Sequence, residues 1–475
     1  MITRWPERSA LTFDVTSVSL NPSRETMTRI KNWLSNRLGT RVMWGFALTL
    51  SFLISVFAAF RGGYVGPDYN THFARLTEWQ KIFDFSTTSP PTYYLLGHWL
   101  FLLIGSNNGF PITLSIAQSA LNAFAMWWFF IYTEQRFRSR VIHLAMVFFL
   151  AFLPVRVIHA AVIGTDSMTV PLFVLVLFLL DRCLSEEIPD AWSAMFLGLG
   201  LAVAVWTKYS FMAFIPAVFL ILLSVRAEHR WKFQRFAAIC VLTLLLPSAL
   251  ALHSFWASSR VHGYNTEKHW LEKGEAPDMS YRDLLLVKRT DLQLFRAPEY
   301  FKREILQGHR YSYLGLVHLG IFTDTMNLFQ VLTVPQHFGS VLIPDQKARQ
   351  SWKTPVMQVS MCLGVIWTVL VLVSVPWSLF EAFRNLIDGK LNREDVTAVL
   401  GIAFFLIVFL LIPFVHAGAL FGYWTPRLIL PALLSFYLAA FRFIDTEIVR
   451  GSTPIACTVL LLASIQCGIE AVMLM

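Results

Sequence analysis

The chain has 475 residues, of which 56% are apolar and only 15% charged. Soluble domains carry about 25% charged residues, so this little charge cannot cover a water-exposed body of this size. The formal charge of +9 would point to nucleic acid in a soluble protein. Here no basic stripe interleaved with aromatics lies on a polar domain, so no nucleic-acid partner is expected and the excess Lys and Arg read as cytoplasmic loops.

The first 41 residues are polar and rich in Arg (Arg4, Arg8, Arg24, Arg29, Arg37, Arg41). No short apolar core with a cleavage site opens the chain, so this segment reads as a cytoplasmic tail rather than a signal peptide. Met27 is a second candidate start. Apolar runs then recur to the C-terminus. With about 20 residues needed per crossing, candidate spans fall at 42–61, 110–132, 141–162, 167–184, 192–207, 208–226, 235–257, 355–378, 396–416, 425–443 and 454–473. The expected fold is an all-α polytopic membrane protein with about 11 transmembrane helices, within a range of roughly 10–13.

Residues 91–105 (PTYYLLGHWLFLLIG) are apolar but short for a span. If they do not cross, the basic loops at Arg136–Arg140, 226–235 and 379–395, and the link holding Arg442 and Arg450, all lie inside with the N-terminal tail. If they cross, every later basic loop moves outside. The charge rule therefore favours a non-crossing helix in an outer loop, 62–109. In that loop Phe73, Leu76, Trp79, Ile82 and Phe83 recur at helical spacing, which suits an amphipathic helix on the membrane surface. The stretch 258–354 reads as a larger extracytoplasmic loop region, polar and aromatic. The chain thus divides into a tail (1–41), a first transmembrane module (42–257), that loop region (258–354) and C-terminal transmembrane helices (355–475).

Chemistry is sought where ionisable residues collect. Most span centres are clean. Asp68, His72, Arg156, His159, Asp166, Lys208, His253, His416 and Arg427 fall near predicted outer ends, which favours a site at the outer water–lipid boundary over mid-membrane transport. Asp68, in GYVGPDYNTH, is either a general base, a ligand for a divalent metal ion, or the cap of a helix beginning near Asn70. Asp166 is either functional or the N-cap of a helix starting at Met168. Lys208 opposes the charge rule, so it either meets an anion such as a phosphate or snorkels to the headgroups. Arg427, in FGYWTPRLILP with Tyr423 and Trp424, suits a pair of phosphate oxygens. His72 is a ligand or a polar-face residue. The five cysteines, Cys183, Cys240, Cys362, Cys457 and Cys467, form no CxxC pair. P-loop, GxGxxG, HExxH and GxSxG motifs are absent, so neither ATP nor NAD is expected.

These residues carry a resemblance. An outer-loop Asp68 after the first span, Pro90-Pro91 followed by Tyr93-Tyr94, a second Asp166 atop a later span, Lys208 in AVWTKYSF, and Arg427 with Pro431 in YWTPRLILPAL follow one another as in the family-39-like glycosyltransferases of the GT-C superfamily. Those include protein O-mannosyltransferases and aminoarabinose lipid A transferases. The likeness covers roughly residues 42–230 and 417–435. Ser89 stands where many members have Lys or His, and Tyr69 where many carry a second acid. The resemblance implies catalytic Asp68 and Asp166, with Lys208, Arg427, His72 and Tyr423 binding substrate. It implies a polyprenyl-phosphate-linked sugar as donor and a lipid, glycan or protein as acceptor, with a divalent metal ion at Asp68 as an option. It also implies a bacterial inner membrane, with the N-terminus cytoplasmic and the site facing the periplasm. A lipid or small-molecule transporter, which calls for mid-membrane charge pairs and related halves, and a non-catalytic envelope-assembly protein are the competing readings.

Overall fold

The computed structural model describes residues 37–65, 69–82, 90–105, 109–185, 191–224, 312–323, 353–388, 393–406 and 429–475, with a few positions between 237 and 292. Among them the chain is helical, without strands. Among the described residues five helices are long and apolar enough to cross a membrane, or six if one bent pair counts as a span. Four shorter apolar helices accompany them. The expectation of about eleven spans therefore rests, for its remainder, partly on short helices and partly on residues outside those described.

The first long helix, α1 (Arg37–Phe60), packs along α5 (Phe110–Glu134). Between them lie three helices of the first loop: α2 (Tyr69–Thr77), α3 (Trp79–Ile82) and α4 (Thr92–Ile104). The next segment, read from the sequence as one span at 141–162, is broken. Helix α6 (Arg140–Phe152) and helix α7 (Pro154–Ala161) meet at 46°. Pro154 sits in the first turn of α7, where its missing N–H costs nothing, but it denies α6 a continuing hydrogen bond.

Arg156 mends this break. Its Nε–H donates to the Leu150 carbonyl at 2.8 Å, and Nη2 donates to the Ala151 carbonyl, two acceptors the interrupted helix leaves free. Nη1 reaches Asn122 Oδ1 at 2.8 Å and Nη2 reaches Ser51 Oγ at 2.5 Å. The side chain is 2% exposed. The sequence placed Arg156 among charges at an outer boundary; it is instead turned into the bundle, because the open carbonyls of a kink are the best acceptors within its reach.

Beyond α7 come a 3-10 turn (Thr165–Met168) and α8 (Thr169–Ser185). Helix α9 (Ala191–Thr207), a second 3-10 turn (Tyr209–Ala213) and α10 (Phe214–Ser224) follow. In the C-terminal half, α12 (Lys353–Ile387) packs on α13 (Arg393–Leu406), α14 (Leu430–Phe443) and α15 (Thr453–Leu474), and α15 lies along α6. Within the stretch expected to be an outer loop region, α11 (Tyr313–Phe322) is apolar. Its Phe322 ring abuts Gly364, where a Cβ would come within 2.5 Å, and Ser360 Oγ–H donates to the Phe322 carbonyl at 2.9 Å. One aromatic cluster, with Phe149 against Trp367, Tyr437 and Phe441, joins α6, α12 and α14 into a continuous core.

The two ends of the bundle differ. At one end Arg41 pairs with Glu134 at 2.8 Å, and Asp445 accepts the backbone N–H groups of Arg138 (2.6 Å) and Ser139 (3.0 Å). Arg136, Arg140 and Arg450 belong to the same turns. The opposite end carries the first-loop helices and the two 3-10 turns.

Candidate functional site

The site begins with why the first-loop helices stay together. Arg75 is buried, with its guanidinium 3.9 Å from the Tyr94 ring centroid. It donates to the carbonyls of Lys81 (3.1 Å) and Ile82 (2.9 Å), satisfying the end of α3. His98 Nδ1–H donates to the Leu76 carbonyl at 2.8 Å. Gly97 lets α2 approach α4 closely, since a Cβ there would lie 2.2 Å from Leu76 Cδ2. These contacts weld α2, α3 and α4 into one small module.

Helix α4 has 13 residues, a rise of about 20 Å against a hydrocarbon core of about 30 Å, so it is too short to cross upright. It buries Tyr93, Tyr94, Gly97 and His98 and exposes Leu96, Trp99, Leu102 and Leu103. That apolar outer face, ended by Gly105 in the left-handed conformation (φ 64°), fits a helix lying at the membrane boundary. Trp79 is exposed beside it.

The module is seated on the bundle through the Tyr-Tyr pair. The Gly164 N–H donates to Tyr93 Oη at 3.1 Å, and Tyr93 Oη–H donates to Gln118 Oε1 at 3.2 Å. Gln118 lies on a polar stripe of α5, Ser115, Gln118, Ser119 and Asn122, whose spacing puts them on one helical face. Gln118 Nε2 donates to the carbonyls of Ala161 (3.0 Å) and Val162 (2.7 Å). Ser115 donates to the Ala161 carbonyl at 2.6 Å and Ser119 to that of Ala160 at 3.1 Å. The end of α7 is thus fixed by side chains rather than by further helix. The Ile163 N–H also donates to the Tyr64 carbonyl at 2.9 Å, tying the exit of α1 to the same turn.

From this fixed turn Asp166 meets Lys208. Lys208 Nζ donates to Asp166 Oδ1 in an ion pair between the two 3-10 turns. Lys208 is 8% exposed, so it does not snorkel. Asp166 lies inside its turn, and α8 begins after it at Thr169. The helix start at Met168 expected from the sequence is displaced by one residue, and the carboxylate faces the lysine. His72 joins from α2: its Nδ1 shares a hydrogen bond with Tyr94 Oη at 2.7 Å, with the rings stacked. A Cβ on Gly164 would come within 3.3 Å of His72 Nε2, so glycine is what allows the imidazole this close to the turn. Burial pushes the Tyr64 and Tyr69 hydroxyls above the usual phenol range, so both stay protonated donors at neutral pH.

Asp166, Lys208 and His72, three of the residues singled out in the sequence, therefore converge on one end of the bundle. Asp68, Tyr423 and Arg427 lie outside the described residues. Tyr93, Gln118 and Gly164, which position the turn, were not assigned roles from the sequence. For Gln118 the polar spacing on α5 was the visible signal, and Tyr93 stood in the Tyr-Tyr motif that carried the resemblance. Among the described residues no three His, Cys, Asp or Glu side chains group in a way that could hold a metal ion.

No family model matches the chain, and no curated protein matches it. Among solved structures it is similar to the oligosaccharyltransferase of Archaeoglobus fulgidus in its apo form, at 12% identity and a TM-score of 0.45, covering 91% of this chain and 56% of that one. It is also similar to the archaeal oligosaccharyltransferase AglB from Archaeoglobus fulgidus in complex with an inhibitory peptide and a dolichol-phosphate, at 12% identity and a TM-score of 0.46, covering 91% of this chain and 55% of that one. The chain spans about half the length of these structures.

Proposed function

We propose that the chain is a membrane glycosyltransferase of GT-C type. It moves a sugar from a polyprenyl-phosphate-linked donor to a glycolipid, polysaccharide or protein acceptor on the non-cytoplasmic side. The observation that carries this reading is the meeting of the Tyr93-Tyr94 helix, the Gly164–Asp166 turn and Lys208 at the end of the bundle opposite the arginine-rich turns. A cation and a carboxylate at a membrane boundary suit a substrate whose lipid stays in the bilayer and whose phosphate emerges from it.

In this reading the acceptor hydroxyl oxygen attacks the anomeric carbon and the bond from that carbon to the phosphate oxygen breaks. The hydroxyl proton passes to Asp68, and the lipid phosphate leaves as an anion. Lys208, with Arg427, stabilises the charge that develops on the leaving phosphate, an effect strengthened where water is scarce. Asp166, paired with Lys208, supports the same site, and His72 helps to bind the substrate. A divalent ion at Asp68 would serve the same leaving group.

The test is transfer itself. Purified protein is incubated with a labelled polyprenyl-phosphate sugar and an envelope glycolipid acceptor, and released lipid phosphate is measured. Asp68→Asn is expected to abolish release while the protein inserts and accumulates normally. Full activity in Asp68→Asn removes Asp68 from the reaction.

A further inference from the structure

We infer that Asp166 is a placeholder for the phosphate, and that its ion pair with Lys208 is the ligand-free state of an anion receptor. This rests on the polyprenyl-phosphate reading above. Lys208 has one charged partner among the described residues, Asp166, and the pair is largely shielded, with side-chain exposures of 11% and 19%. An ammonium in such a place needs a counter-charge at all times. A phosphate entering the site supplies the same charge, so the two anions compete for one cation.

The surroundings fit a ligand rather than a permanent bridge. The ion pair joins two 3-10 turns, and each turn is accompanied by a buried hydroxyl oxygen that has no hydrogen-bond partner among the described residues: Thr169 Oγ1, three residues beyond Asp166, and Ser210 Oγ, two residues beyond Lys208. Unsatisfied buried hydroxyls are uncommon in finished interiors. Two of them, one following each member of the ion pair in sequence, are what a site awaiting further oxygen atoms leaves behind. On binding, Lys208 turns from the carboxylate to the phosphate. Asp166 is then freed on the side from which the acceptor approaches.

The placeholder has a signature that a supporting residue lacks: removing it tightens phosphate binding. The experiment uses the full chain in nanodiscs, amine acetylation of Lys208 read by peptide mass spectrometry, and farnesyl phosphate as probe, with farnesol as the uncharged control. Asp166→Asn is expected to raise Lys208 acetylation without ligand. Farnesyl phosphate then restores protection at a concentration roughly severalfold lower than in the unaltered protein, the scale of one competing ion pair. Asp166→Ala gives the same direction, guarding against an effect peculiar to the amide. If farnesyl phosphate protects the unaltered protein but protects both variants less well, Asp166 helps to bind the anion; the placeholder is wrong and the lipid-phosphate reading stands. If farnesyl phosphate protects no better than farnesol in any form, the lipid-phosphate reading fails and the placeholder fails with it.

Discussion

Tyr93 and Gly164 are joined by a 3.1 Å hydrogen bond from the glycine amide to the phenol oxygen. This one contact couples a loop helix outside the spans to the turn that presents Asp166. It explains why two tyrosines follow Pro90-Pro91: Tyr93 reaches inward to the bundle, and Tyr94 faces the His72 and Arg75 side chains of α2.

Tyr93→Phe keeps the ring and removes the oxygen. The Gly164 N–H loses its acceptor and Gln118 Oε1 loses a donor, at a cost of about 1–3 kcal/mol for buried groups left unpaired. Thermal unfolding of the detergent-purified protein should register this loss. Transfer should fall several-fold more than in a control with equal loss of stability elsewhere. Unchanged stability and transfer would show that the hydroxyl does not anchor the module.

Arg156→Met tests the mended kink. The carbonyls of Leu150 and Ala151 and the Asn122 amide oxygen lose their donor together. The expected penalty is about 3–5 kcal/mol, from several buried acceptors at about 1–3 kcal/mol each. Arg156→Lys should recover little, because one ammonium cannot span three separated acceptors. Membrane accumulation and melting temperature measure both. A Lys variant as stable as the parent would place the weight on charge alone.

The long helices were legible because apolar runs of about 20 residues have few other fates. The break in the segment 141–162 had a visible cause in Pro154, yet the run remained apolar throughout and read as one span. Arg156 was misplaced for a related reason: periodicity cannot tell a charge at a boundary from one serving a kink. Asp166 and Lys208 were each picked out for chemistry, but their pairing across 42 positions is a tertiary fact that spacing does not encode. Helix α11 was hidden because its ten residues sit inside a polar stretch and are too few to register as a span.

The proposed orientation rests on the separation of the arginine-rich turns from the first-loop module, by the rule that basic residues stay on the cytoplasmic side. In a background with the five native cysteines replaced, Glu78→Cys should react with a membrane-impermeant thiol reagent in intact cells. Arg450→Cys should react only after permeabilisation. Both side chains are open to solvent, at 53% and 72% exposure. The reverse pattern would put the module on the cytoplasmic side, away from any outer acceptor.

The most direct measurement concerns whether the ion pair works or merely holds. The charge-swapped protein Asp166→Lys/Lys208→Asp keeps a bridge between the two turns but moves the cation to the other side of the site. Polyprenyl phosphate release from a labelled lipid-linked sugar should be present in the unaltered chain. It should stay at background in the swapped one, even though the swap recovers the melting temperature lost by either single change. Release restored to the parental rate by the swap would reduce the pair to a structural bridge and contradict the account.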